Sequence, residues 1–154
     1  MLDSDFFILA LSQALNSTCL RTKIGCILVN NGQVVSGGYN GAPDDMVPCT
    51  ITQKCPKSIS GLHFEQGNSY CIGVHAEARC LMQIKQSAGS ILYTTHKPCL
   101  ECTKLIIQAG LLKVLWLTDW GGPDLGLELR KDSNVEFKKY GGQDDNSGVL
   151  HKLE

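Results

Sequence analysis

Surplus positive charge, aromatic rings and long apolar runs are all scarce in this sequence, and each scarcity removes a class of function. Lysine and arginine number 14 against 15 aspartates and glutamates, which leaves a net charge of −1. A protein that grips a phosphate backbone needs a basic face, so no nucleic acid polymer is expected as a partner. Aromatic residues make up 6% of the chain, too few for a platform that stacks single-stranded bases. No apolar run approaches the roughly 18–20 residues of a membrane span. The opening residues Met1-Leu2-Asp3-Ser4-Asp5 are acidic where a secretory leader would be basic. A cytoplasmic protein with no membrane partner is expected. At 154 residues it has the size of one domain, which buries roughly 70% of its unfolded surface and needs no covalent staples.

Cysteine, by contrast, is abundant: Cys19, Cys26, Cys49, Cys55, Cys71, Cys80, Cys99 and Cys102. In a reducing compartment a disulfide framework is the weaker reading and metal ligation the stronger, with the remainder as small buried hydrophobes. Cys26 and Cys80 fall on apolar faces and read as core thiols.

Hydrophobic spacing sets the organisation. Phe6, Phe7, Ala10, Leu11, Ala14 and Leu15 predict a helix over 3–18, with Asp3 or Ser4 as candidate N-cap. Strands are predicted over 24–29 and 33–39, joined by a tight turn at Asn30-Asn31-Gly32. Periodicity then vanishes from Gly41 to Ser69, and a structureless segment of that length needs something to organise it. Beyond it come a helix over 75–87, a strand over 90–95, a helix over 99–109 ended by Gly110, and a strand over 113–118. A short helix near 123–131 and a weak strand near 134–138 follow. Residues 1–140 form one domain in this reading, and 141–154 a polar tail. The alternation predicts an α/β fold of three layers, with a central mixed sheet of about five strands and helices on both faces.

Two helix starts carry the chemistry. His75-Ala76-Glu77 opens one, and Pro98-Cys99-Leu100-Glu101-Cys102 opens the next. Cysteines three apart on a first turn face the same way, and the helix N-terminus favours thiolate, the form that binds metal. One nitrogen and two sulfurs leave a tetrahedral zinc with an open position for water, the layout of a catalytic site. Zinc lowers the pKa of such water toward ~7. Glu77, two residues from His75, is the natural proton shuttle. Taken singly, a Cys-x-x-Cys is often a redox pair or half a structural zinc site, and a lone histidine at a helix start is often a cap. The order His-x-Glu, strand, Pro-Cys-x-x-Cys favours a catalytic zinc and is the signature of zinc-dependent base deaminases.

At these residues the sequence resembles the cytidine deaminase-like superfamily and, within it, the deoxycytidylate (dCMP) deaminases. The likeness is carried by Cys19-Leu20-Arg21-Thr22-Lys23-Ile24-Gly25, Gly38-Tyr39-Asn40-Gly41-Ala42-Pro43, His75-Ala76-Glu77 and Tyr93 through Cys102. It departs from the family pattern at Arg79, where an asparagine is usual, and at Trp120, where a tyrosine is common. The resemblance implies hydrolysis of dCMP to dUMP and ammonia, a step that supplies pyrimidine for dTTP synthesis. Activation by dCTP, inhibition by dTTP, Mg accompanying a triphosphate effector and a hexameric homo-oligomer are implied too. It also implies a second, structural zinc held by Cys19, Cys49, Cys55 and Cys71, with His63 in reserve, that would organise the insertion over about 42–71. Substrate contacts fall on Arg21, Asn40 and Trp120, and effector contacts on Lys23, Gly38, Asn40 and Gly41. Arg21 is one of only three arginines, and its planar fork suits a phosphate or an ordinary ion pair. Asn40 either reads the substrate or supports its turn. The rivals are a deaminase of another cytosine nucleotide such as dCTP, a tRNA or other base deaminase on the same fold, and a non-enzymatic zinc module. The last predicts closed four-ligand sites and no use for Glu77.

Overall fold

The computed structural model describes residues 1–61 and 69–141. His63 and, Gly141 apart, the polar tail lie outside the described residues. The chain runs α1 (Asp3–Ala14), β1 (Gly25–Asn30), β2 (Gln33–Tyr39), α2 (Cys49–Thr52), α3 (Pro56–Ile59), α4 (Ala76–Met82), β3 (Ile91–His96), α5 (Leu100–Gln108), β4 (Lys113–Thr118), α6 (Leu127–Lys131) and β5 (Glu136–Lys139). The sheet has the order β2-β1-β3-β4-β5. Its first two pairings are antiparallel, and the β3–β4 and β4–β5 pairings are parallel. This is the expected five-stranded mixed sheet.

Strand alternation sorts the core into two halves. Ile27, Val29, Tyr93 and Leu115 face α1 and pack against Phe6, Phe7 and Ala10. Cys26, Leu28, Leu92 and Val114 face the opposite side and pack against Ala76 and Cys80 of α4 and Ile106 of α5. Cys26 and Cys80 are fully buried there, as core thiols. Phe6 and Phe7 place their rings 4.9 and 5.4 Å from that of Tyr93, and the Tyr93 hydroxyl donates to Asp3 at 2.6 Å. Each buried aromatic side chain contributes about 1.5–3 kcal/mol, so α1 is anchored by its first two turns.

Several boundaries differ from expectation. The first helix ends at Ala14, four residues early, because Ser17 turns away to hydrogen-bond Asn40. Its N-cap is Leu2, not Asp3 or Ser4, and the Asp5 carboxylate accepts the Leu2 N–H at 2.9 Å. The helix after His75 stops at Met82, short of the predicted 87. Among its described residues the aperiodic segment holds two single-turn helices, α2 and α3, too short to leave a period in the sequence. The hairpin turn is as predicted, with positive φ at Asn31 and Gly32. Among the described residues no helix is long and apolar enough to cross a membrane.

One close approach sets the position of α4. A Cβ on Gly38 would stand 2.4 Å from the Ala76 carbonyl oxygen and 2.9 Å from the Cys80 nitrogen. Backbone meets backbone at this point, and neither can yield. Gly38→Ala is therefore expected to destabilise the protein by about 1–3 kcal/mol, read as a lower urea midpoint at an unchanged slope. An unchanged midpoint would show that α4 does not depend on this contact.

Candidate active site

The two helices on one sheet face bring their N-terminal ends to a common edge. His75 is the N-cap of α4 and Cys99 the N-cap of α5, with Cys102 one turn further along. An isolated antiparallel bridge, Gly41 with Val74, fixes the approach to His75 through hydrogen bonds of 3.1 and 2.7 Å. His75 Nδ1 lies 3.4 Å from Cys99 Sγ and 3.4 Å from Cys102 Sγ. The ligand atoms of all three residues lie within 4.8 Å of one another, and among the described residues no other such group of His, Cys, Asp or Glu forms.

These distances suit zinc. A tetrahedral centre with Zn–S of about 2.3 Å and Zn–N of about 2.0–2.1 Å has N···S edges of about 3.6 Å. The protonation chemistry points the same way. A hydrogen bond from Cys102, aided by His75, holds the Cys99 thiol down at about 4. Hydrogen bonding to Cys99 and burial push Cys102 well up. Hydrogen bonding to Cys99 raises His75. One thiol ionises at the other's expense, a conflict that a divalent cation between them removes.

Glu77 is 4% exposed, and its Oε2 accepts a long 3.5 Å hydrogen bond from Cys102 Sγ. Burial pushes its carboxyl above the ordinary range, the direction that suits a group that takes up and releases a proton. It also lines a cleft of about 270 Å³ together with His75 and Cys99.

That cleft gathers most of the residues singled out in the sequence. Arg21, Asn40, Gly41 and Trp120 line it, as do Cys19, Cys49, Cys55 and Cys71. Lys23 and Gly38 do not: Lys23 is exposed and Gly38 is packed under α4. The four cysteines are half-buried, and burial followed by the charges of Cys55, Cys19 and Cys71 raises the Cys49 thiol. Asn40 holds the turn ahead of β1. Its Oδ1 accepts from Ser17 Oγ at 2.6 Å and the Ile24 N–H at 2.8 Å, while Nδ2 donates to the Thr22 carbonyl at 2.8 Å. Turn support, the plainer of its two roles, is the one visible. Trp120 stacks on His96 with ring centres 4.6 Å apart and donates to the Lys97 carbonyl at 2.6 Å. Arg21 is exposed and donates to Ser58 Oγ at 3.3 Å.

Two residues of the cleft, and a third that holds a loop lining it, escape sequence reasoning. Lys57 of α3 is 6% exposed and lines the cleft, although lysines are among the residues least often buried. Lys97 lines it too, paired with Asp124 at 3.0 Å and Asp119 at 3.5 Å. Arg79 stacks over Tyr39 and donates to the carbonyls of Tyr39 at 3.1 Å and Ala42 at 2.9 Å, with Asp44 at 2.6 Å. The arginine that breaks the family pattern thus ties down the Tyr39–Asp44 loop, a task its position in the sequence does not reveal.

Comparison with known proteins follows the same residues. The family model for the cytidine and deoxycytidylate deaminase zinc-binding region matches residues 1–118. The deoxycytidylate deaminase of Mycobacterium phage D29 is 34% identical over 121 residues, covering 74% of this chain and 92% of that protein. The deoxycytidylate deaminase of Schizosaccharomyces pombe is 30% identical over 141 residues, but the chain spans only 44% of its length. Among solved structures, the dCMP deaminase of cyanophage S-TIM5 in complex with dCMP and dUMP superposes with a TM-score of 0.70 at 29% identity, covering 88% of this chain and 93% of that one. A match that runs from α1 through β4 takes in both helices that meet at the cluster, and the chain belongs to the cytidine and deoxycytidylate deaminase family.

Proposed function

We propose that this protein is a zinc-dependent hydrolase that converts dCMP to dUMP and releases ammonia. The observation that carries the reading is the cluster of His75, Cys99 and Cys102, with Glu77 buried beside it on the wall of a nucleotide-sized cleft. Likeness to the cyanophage dCMP deaminase, solved with dCMP and dUMP, supports the choice of substrate.

His75 Nδ1 and the sulfurs of Cys99 and Cys102 would hold the zinc. When bound, it supplies Lewis-acid activation of a water molecule. Glu77 then moves the protons. It takes one from the attacking water as oxygen adds to C4 of the pyrimidine, passes it to N3, and delivers the second to the amino group that leaves as ammonia. Burial keeps bulk water from competing for these transfers. Arg21, Lys57 and Lys97 line the cleft, Lys97 being shared with Asp124 and Asp119, and their charge suits a monophosphate. Arg21 reads that phosphate in this proposal, and Trp120, stacked on His96, forms the aromatic wall.

The second zinc is proposed at Cys19, Cys49, Cys55 and Cys71 on the family resemblance; the four thiols share the cleft, although their sulfurs do not close into a ligand group as those of Cys99 and Cys102 do with His75. Regulation by dCTP and dTTP, Mg with a triphosphate and a hexamer rest on the family resemblance alone. Of the four residues expected to contact effectors, Asn40 and Gly41 are the ones on the cleft.

Glu77→Gln should keep zinc and fold but lower kcat by about 10²–10⁴-fold, measured by ammonia release from dCMP. A variant that keeps more than about a tenth of the wild-type rate removes Glu77 from the proton path. Arg21→Ala should cut kcat/KM for dCMP by about ten- to a hundredfold, the worth of a charge-assisted bidentate contact, and leave deoxycytidine turnover nearly intact. Equal losses on both substrates would assign Arg21 to the fold. Elemental analysis should find close to two zinc ions per chain, of which Cys99→Ala and Cys49→Ala each lose a different one. Cys49→Ala should also become protease-sensitive within residues 42–71, since metal binding there is folding energy.

A further inference from the structure

A buried arginine lies behind the metal-binding turn, in the part of the chain that follows the matched family region. Arg130 of α6 is 6% exposed. Its Nη1 donates to the Pro98 carbonyl at 3.4 Å and to Thr103 Oγ1 at 3.2 Å. Its Nη2 pairs with Asp124, which also receives Lys97 at 3.0 Å. On the other side Cζ lies 5.9 Å from the centre of the Phe137 ring. Gly126 makes room for the guanidinium, because a Cβ there would come within 2.4 Å of Nη1 and 3.3 Å of Thr103 Oγ1.

The partners are not arbitrary. Pro98 immediately precedes Cys99, and Thr103 immediately follows Cys102. One nitrogen therefore grips the two ends of the segment that carries both thiols. Burying a guanidinium is costly unless its donors are satisfied, and an apolar side chain could fill the same space without that cost. The planar fork, however, can hold a carbonyl, a hydroxyl and a carboxylate at fixed mutual angles, which neither an apolar residue nor a lysine can do.

We infer that Arg130 is a positioning residue that fixes the spacing and direction of the Cys99 and Cys102 sulfurs toward His75. The inference rests on reading His75, Cys99 and Cys102 as a zinc centre. Groups one layer behind metal ligands commonly alter metal affinity by about 10–100-fold, and Arg130 acts through the residues adjoining both sulfur ligands, Pro98 and Thr103.

Chelator-driven zinc release, followed well below the unfolding midpoint, tests it. The release phase that disappears in His75→Ala belongs to this centre. Arg130→Met is expected to accelerate that phase by about ten- to a hundredfold, leaving any phase that His75→Ala retains, and the far-ultraviolet circular dichroism, unchanged. Arg130→Lys keeps the charge without the fork and should fall between Met and wild type. Thr103→Val keeps the volume and removes one acceptor, so it should accelerate the same phase to a smaller degree. Combined with Arg130→Met it should add nothing, because both report one contact. Should Arg130→Met fail to fold, Thr103→Val alone decides, since release at the wild-type rate overturns the positioning role. A wild-type protein with no phase sensitive to His75→Ala overturns the zinc centre itself. A normal wild-type phase that neither Arg130→Met nor Thr103→Val alters overturns the role of Arg130 and leaves the centre standing.

Discussion

A ring nitrogen held 3.4 Å from each of two sulfurs is the contact on which the rest of the structure depends. It requires two helices from different parts of the chain to end at one edge of one sheet. That demand explains the topology: β3 delivers the chain straight into α5, and the parallel return through β4 keeps α5 on the same face as α4. Ligands in open α/β sheets bind outside the carboxyl ends of the parallel strands, and the thiol-bearing turn begins where β3 stops. α1, on the opposite face, takes no part in the cluster. Its aromatic rings hold the sheet rigid from behind.

Charge is arranged on the same plan. A chain of net charge −1 has only three arginines, and all three serve the surroundings of one site. Arg21 stands at the cleft, Arg79 secures the loop after β2, and Arg130 lies behind the thiols. Lysine is used differently. Lys57 and Lys97 bring point charges to the cleft wall, Lys57 buried and Lys97 held by Asp124 and Asp119. Planar forks therefore fix backbone carbonyls at two of the three arginine positions, and the two lysines line the cavity.

Much of this could be read from the sequence, where local pattern and local structure coincide. Lys113–Thr118 is a strand in both, because a buried strand in a parallel sheet shows a continuous apolar run. The meeting of His75, Cys99 and Cys102 follows from their places at two helix starts, which local spacing in the sequence shows. What could not be read depends on contacts between distant segments. α1 ends early because Asn40, beyond two strands, captures Ser17. One-turn helices such as α2 and α3 present no period at all. The burial of Lys57 and Arg130 runs against the ordinary preference of cations for water, and Arg130 announces itself only through Gly126, whose missing side chain has no meaning until α6 is packed.

The bridge between Gly41 and Val74 has a consequence for how this protein could change over evolutionary time. It pins together the two ends of the insertion that carries α2 and α3, at the threshold of His75. Once the ends of a loop are fixed, its length matters little, because each doubling adds only about 0.6 kcal/mol of closure entropy. The insertion can thus be lengthened, shortened or exchanged while the spacing of His75 from Cys99 and Cys102 stays as it is. The bridge makes the cleft wall an interchangeable part mounted on a fixed reaction centre, so that new nucleobase substrates could be admitted by redesigning one segment and leaving the chemistry alone.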